Sequence, residues 1–268
     1  MSILTQTRSE LTKVTTTAGW WVLALVLVLY VGLAATGLGW VLARSASGDL
    51  GGPSVPANLL PPTLYGLAAS FGYIFPLLIG TLIVTAEFRT HTLVPTFLAA
   101  PRRGGVLFAK VVAGVVFGAL FAVIALVAAV GPGAALLSAH GLDAALTQAS
   151  TWKLVGRSVL ALVLWAIIGV GLGALVRNQV AGIVIALAFP LFIEPLVRIA
   201  GGFVTWVADA AHYLPGAASE ALVASGATLF GGGSSDGQTW WGGALVLAGY
   251  AVVLLLAAVA FSWRRDVA

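Results

Sequence analysis

The chain has 268 residues, of which 60% are hydrophobic and only 8% charged, and its net charge is +4. Soluble domains carry about 25% charged residues, so this chain cannot cover a water-facing surface and reads as an integral membrane protein. Residues 1–268 form one transmembrane domain with no room for a separate globular one, and the lack of cysteine excludes disulfides, thiolate metal sites and cysteine nucleophiles.

A membrane helix needs about 20 mostly apolar residues, and residues 2–17 are too polar for that. Helical spacing puts Leu4, Leu11 and Val14 on one side, flanked by Ile3 and Thr7, with Arg8 and Lys13 off it. This predicts an interfacial amphipathic helix rather than a frayed tail. The first span is expected over Ala18–Leu42, led by Trp20 and Trp21, which favour the headgroup level. It is too long for a cleaved signal peptide and lacks a small-residue cleavage site. After a loop with Arg44 and Asp49, the second span is expected over Leu64–Ala86, with a kink at Pro76.

The polar segment 87–105 then makes an elbow, and the third span is expected over Val106–Val130, ended by Gly131-Pro132-Gly133. A loop with His140, Asp143 and Lys153 leads to the fourth span, Leu154–Val176. Arg177-Asn178-Gln179 makes a tight turn into a fifth span that starts at Val180 and is interrupted by Pro190 and Pro195. Segment 199–239 holds two apolar pieces, Phe203–Tyr213 and Ala217–Leu229, each too short to cross. They read as short re-entrant or interfacial helices on the outer side. The sixth span is expected over Trp241–Trp263.

The fold class is therefore an all-α membrane protein with six transmembrane helices. With the N-terminus inside, nine basic residues (Arg8, Lys13, Arg89, Arg102, Arg103, Lys110, Arg177, Arg264, Arg265) are cytoplasmic and four (Arg44, Lys153, Arg157, Arg198) are outside. The positive-inside rule then puts both termini in the cytoplasm.

The usual enzyme signatures are missing. His91, His140 and His212 are far apart, and there is no HExxH pair, no GxSxG elbow and no GxxxxGK[ST] phosphate loop. No catalytic residue, metal site or cofactor is expected, and no nucleic-acid partner. Glu194 and Arg198 form an i, i+4 pair near the outer end of the fifth span. It reads as a gate on an exit path or as a capping ion pair at a helix end, and the wet interface favours the second.

In the elbow, Glu87 and Arg89 flank Phe88, and Thr92, Leu93, Phe97 and Leu98 follow as a short helix-like piece closed by Pro101, Arg102 and Arg103. An apolar strip between charged ends suits a knob for a partner's groove, or else a strip lying on lipid.

The elbow resembles that of the type-2 permeases of ATP-binding-cassette transporters, the membrane halves of many bacterial exporters. The match runs in order through Glu87, Phe88, Arg89, Thr92, Pro101, Arg102, Arg103 and Lys110. Glu10 and Lys13 before a Trp-led span resemble the family's leading amphipathic helix. Gly171–Gln179 resembles its fourth-to-fifth turn and Tyr213–Gly216 its outer segment. His91 stands where glycine is usual, and Pro95 interrupts the short helix.

The resemblance implies a multi-pass permease in a bacterial plasma membrane, paired with a second copy or paralogue. Two ATPase subunits would dock on the elbow as a coupling helix, hold ATP and Mg themselves, and drive export of a hydrophobic or amphipathic drug, lipid or peptide. The alternatives are a non-transporting scaffold or sensor subunit and an ion-gradient carrier. A carrier would want ionisable residues buried near mid-membrane and paired broken helices; the spans hold almost none, which argues against it.

Overall fold

A computed structural model describes residues 3–46, 56–90, 103–224 and 239–263, and these contain helices and no strand. In chain order the helices are α1 (Ile3–Thr15), α2 (Gly19–Ala46), α3 (Leu60–Gly72), α4 (Ile74–Arg89) and α5 (Arg103–Ala139). They continue with α6 (Ala149–Val176), α7 (Gln179–Ala188), α8 (Glu194–Gly201), α9 (Thr205–Ala211), α10 (Pro215–Val223) and α11 (Trp240–Ala257).

Among the described residues six helical stretches are long and apolar enough to cross a membrane: Gly19–Ala46, Ala57–Arg89, Gly104–Ala139, Ala149–Val176, Gln179–Gly201 and Trp240–Phe261. This is the architecture of a multi-pass helical membrane protein, in which most backbone groups are paired within their own helix, as hydrocarbon requires.

Several boundaries differ from the sequence expectation. The second stretch begins at Ala57 and runs through Pro61 and Pro62, which sit in its first turns where their missing N–H groups are no loss. It breaks at Tyr73, between α3 and α4. Pro76 lies one turn on and cannot donate to the carbonyl of Gly72, which accounts for the interruption. The third stretch does not stop at Gly131-Pro132-Gly133 but continues to Ala139. Gly133 lies against the Tyr65 ring there, and packing with α3 carries the helix past the proline. Arg44 and Lys153 are helical rather than in loops.

The fifth stretch is continuous as well. Phe189–Ile193 widens into a π turn in which the Glu194 N–H donates to the Phe189 carbonyl, five residues back. The short pieces before the last span are α9 and α10, shorter than expected, and residues beyond 224 in the second piece lie outside the described set.

The centre of the bundle is α3–α4, whose most apolar stretch is 78% buried, against 17% for the last span. The α4–α6 seam is built from small residues. A Cβ at Gly80 would strike the Ala166 carbonyl, and one at Gly169 the Leu77 carbonyl, so the two backbones touch. Thr81 and Thr85, fully buried beside this seam, donate to the carbonyls of Leu77 and Thr81 at 2.8 and 2.9 Å. At the turn from α6 to α7, Arg177 adopts a left-handed φ of 55° and Asn178 caps α7 by accepting from the Ala181 N–H at 3.1 Å.

Candidate functional site

Helix α1 lies over the start of α5. Of its expected apolar side, Val14 is buried and Leu11 packs against the core, while Leu4 is 83% exposed, and Glu10 is buried next to them. This packing brings Glu10 to the end of the bundle where α4 finishes and α5 begins. Lys110 of α5, fully buried, meets Glu10 Oε2 at 2.6 Å and Glu87 Oε2 at 2.9 Å. Lys13 meets Glu10 Oε1 at 2.7 Å and Glu87 Oε1 at 2.6 Å. Each lysine bridges both carboxylates, and each carboxylate uses both oxygens. The result is a closed ring of four charges with no net charge, joining α1, α4 and α5.

Lys110 also reaches the Ile83 carbonyl at 3.4 Å. Its contact with Glu87 Oε2 is an ion pair whose angle falls short of a hydrogen bond. Burial pulls the Lys13 ammonium down, but hydrogen bonds and charge from Glu10 and Glu87 outweigh it and hold the group above its ordinary value of 10.5. Ions out of water need this degree of pairing, because a lone buried charge costs several kcal/mol, on the order of 3–5 when one partner is removed.

Of the elbow residues expected to engage a partner, Glu87 is therefore drawn into this ring. Phe88 is half-buried against the small cluster of Val84, Val106, Leu107, Val170, Ala174 and Ala258, and Arg89 is exposed at the end of α4. Arg103 opens α5. Thr92, Leu93, Phe97, Leu98 and Arg102 lie outside the described residues.

The second cluster sits toward the opposite end of the bundle. Glu194, only 3% exposed, does act as a cap, though of another helix than its own. Its carboxylate accepts from the N–H groups of Gly216 and Ala217 at 3.0 and 2.9 Å, at the start of α10. A helix N-terminus favours an anion there. Gly216 is needed for this approach, since a Cβ on it would overlap the Glu194 carboxylate.

Arg198 pairs with Glu194 at 2.9 Å, as the i, i+4 spacing implied, and its other amino group meets both oxygens of Glu220 at 3.0 Å. Burial pushes the Glu220 carboxyl up; Arg198 opposes this and Glu194 adds to it, and the net shift is upward. Nearby, Trp165 donates to Ser219 Oγ at 3.2 Å and stacks on Tyr73 at 4.7 Å, while Tyr250 donates to the Tyr213 carbonyl at 3.2 Å. These contacts lock α10 against α6 and α11. A cavity of about 370 Å³ opens beside the cluster, between α2, α3, the π turn, α8 and α10.

The sequence pointed to Glu194 and Arg198 but missed Glu220, and it singled out Glu10, Lys13 and Lys110 through the family likeness alone. The signal for Glu220 was thin: a Leu-Pro-Gly helix start with one acid a turn and a half later.

Neither a scan against protein-family models nor a search of curated proteins finds a match for this chain. The likeness to the type-2 permeases therefore stands on the residues named above.

Proposed function

We propose that this chain is the membrane subunit of an ATP-driven exporter, moved by separate ATPase subunits through the segment between α4 and α5. The observation that carries this reading is the ring of Glu10, Lys13, Glu87 and Lys110. It clamps both flanks of that segment and the leading helix into one body. A push on residues 90–102 would then shift α1, α4 and α5 together, and α4 would drag α6 through their glycine seam. For the push to change access to a path, the partner must bind two states of the subunit with different affinity.

In this reading the segment lies in the cytoplasm. Leu93, Phe97 and Leu98 fill the partner's groove, and a second permease copy completes the path. The test is co-purification with an ATPase subunit, sought first among the reading frames adjacent to the gene. Phe97→Asp is expected to release the ATPase while the permease stays inserted. Undiminished co-purification counts against the assignment.

A second reading gains support from the Glu194–Arg198–Glu220 cluster. Buried ionisable groups beside a cavity, walled by the break at Tyr73 and the π turn at 189–193, suit an ion-gradient carrier. Uptake by proteoliposomes holding this chain alone, driven by a proton or sodium gradient and indifferent to ATP, would favour the carrier.

A further inference from the structure

We propose that the cavity beside Glu220 is a binding site for an organic cation with an aromatic body. Its volume of about 370 Å³ falls in the small-molecule range of roughly 300–1,000 Å³. One wall is aromatic, with Tyr30, Phe71 and Tyr73 facing the space and Tyr30 held edge-on to Phe71 at 5.7 Å. Aromatic faces attract cations, the more so where water is excluded.

The charge balance of the other wall sets the sign of the ligand. Among the lining residues Arg198 is the one cation, and it stands between two carboxylates. Glu194 is saturated by Arg198 and two backbone N–H groups. Glu220 shares the same arginine, and its side chain is 41% exposed. The wall is thus short of one positive charge, and the shortfall sits on the accessible carboxylate. The upward push on the Glu220 carboxyl has the same origin, since one shared guanidinium does not offset its burial. An anion of equal size would meet two carboxylates and a guanidinium whose two amino groups are both engaged and whose Nε is buried.

The site needs no ATPase and no transport cycle, so binding and the exporter reading can fail separately. Only the further step, that such cations are cargo, rests on that reading.

The experiment is equilibrium dialysis of the purified full chain in neutral detergent against two probes of one shape and opposite charge, tetraphenylphosphonium and tetraphenylborate. Saturable, one-to-one binding of the phosphonium is expected, with the borate only partitioning into micelles. Glu220→Gln, which keeps an acceptor for Arg198 but removes the charge, should weaken phosphonium binding about tenfold or more. Glu220→Asp should retain most of it. If Glu220→Gln does not yield folded protein by size exclusion, Tyr73→Leu decides instead: a loss of at least about threefold is expected. Partitioning without saturation, equal saturable binding of both probes, or wild-type affinity in the variant that folds would overturn the proposal.

Discussion

At one end of the bundle two lysines and two carboxylates close on themselves; toward the other, one arginine serves two carboxylates and a cavity opens beside them. Both clusters tie together helices distant in sequence, yet their electrostatics differ. The first has no net charge, so it acts as a strut. The second carries a net negative charge and has space next to it. Buried ion pairs add little net stability by themselves, and a well-packed apolar substitute does as well or better. What they impose is geometry, and an unbalanced cluster also imposes a preference on whatever enters.

The hardest test of the strut is Lys110→Met. It leaves two carboxylates sharing the single ammonium of Lys13 and should lower stability by about 3–5 kcal/mol, read from denaturant unfolding in detergent. Adding Glu10→Gln restores neutrality with the Lys13–Glu87 pair and should recover much of the loss, a strongly non-additive result. Additive losses would mean that the four charges do not act as a ring.

At the second cluster the matching test is Gly216→Val. Its side chain would displace the Glu194 carboxylate from the start of α10, with an expected loss of about 1–3 kcal/mol and a lower melting temperature. Tolerance of valine there would remove the cap from the account.

Lys13→Met should cost less than Lys110→Met, about 1–3 kcal/mol, because its own side chain is 40% exposed and water can take its place beside the two carboxylates. The pH dependence has a definite sign. The folded value is raised, so the stabilisation is complete below the ordinary 10.5 and fades as pH climbs through the raised value. Alkaline melting curves of wild type and variant should therefore converge, and a gap that persists at high pH would contradict this.

The smallest effect is expected from Glu220→Gln. Its carboxyl is also raised, so any stability linked to it is complete below the ordinary 4.5 and fades as pH rises through the shifted value. At neutral pH the variant should melt no lower than the wild type. A clear drop would mean that Glu220 is a strut like Glu87.

The spans could be read from the sequence because an apolar run of 20 or more residues has few other fates. Their ends could not: Pro132 looked like a stop, but the contact of Gly133 with Tyr65 extends the helix beyond it. The turn at Arg177 and Asn178 was legible because both cap roles are local. The rings of charge were not, since Lys110 and Glu10 are 100 residues apart and Lys13 and Glu87 are 74 apart. Only the i, i+4 pair of Glu194 and Arg198 announced itself, and the third member, 22 residues further on, depended on where α10 folds back. The face of α1 was legible in part: Val14 is buried and Leu11 packs on the core, while Leu4 is exposed and the burial of Glu10 depends on distant Lys110.

The π turn at Phe189–Ile193 holds one residue more than regular winding would need. Each residue of an α-helix advances the side chains by about 100°. Deleting a single residue from this turn would bring the helix back into phase and swing Glu194 and Arg198 to a different azimuth, with every side chain of the pair intact. A chain shortened by that one position should keep its spans and lose α10 from its mooring, so the local excess of backbone, as much as the acid and the base, is what aims the cluster inward.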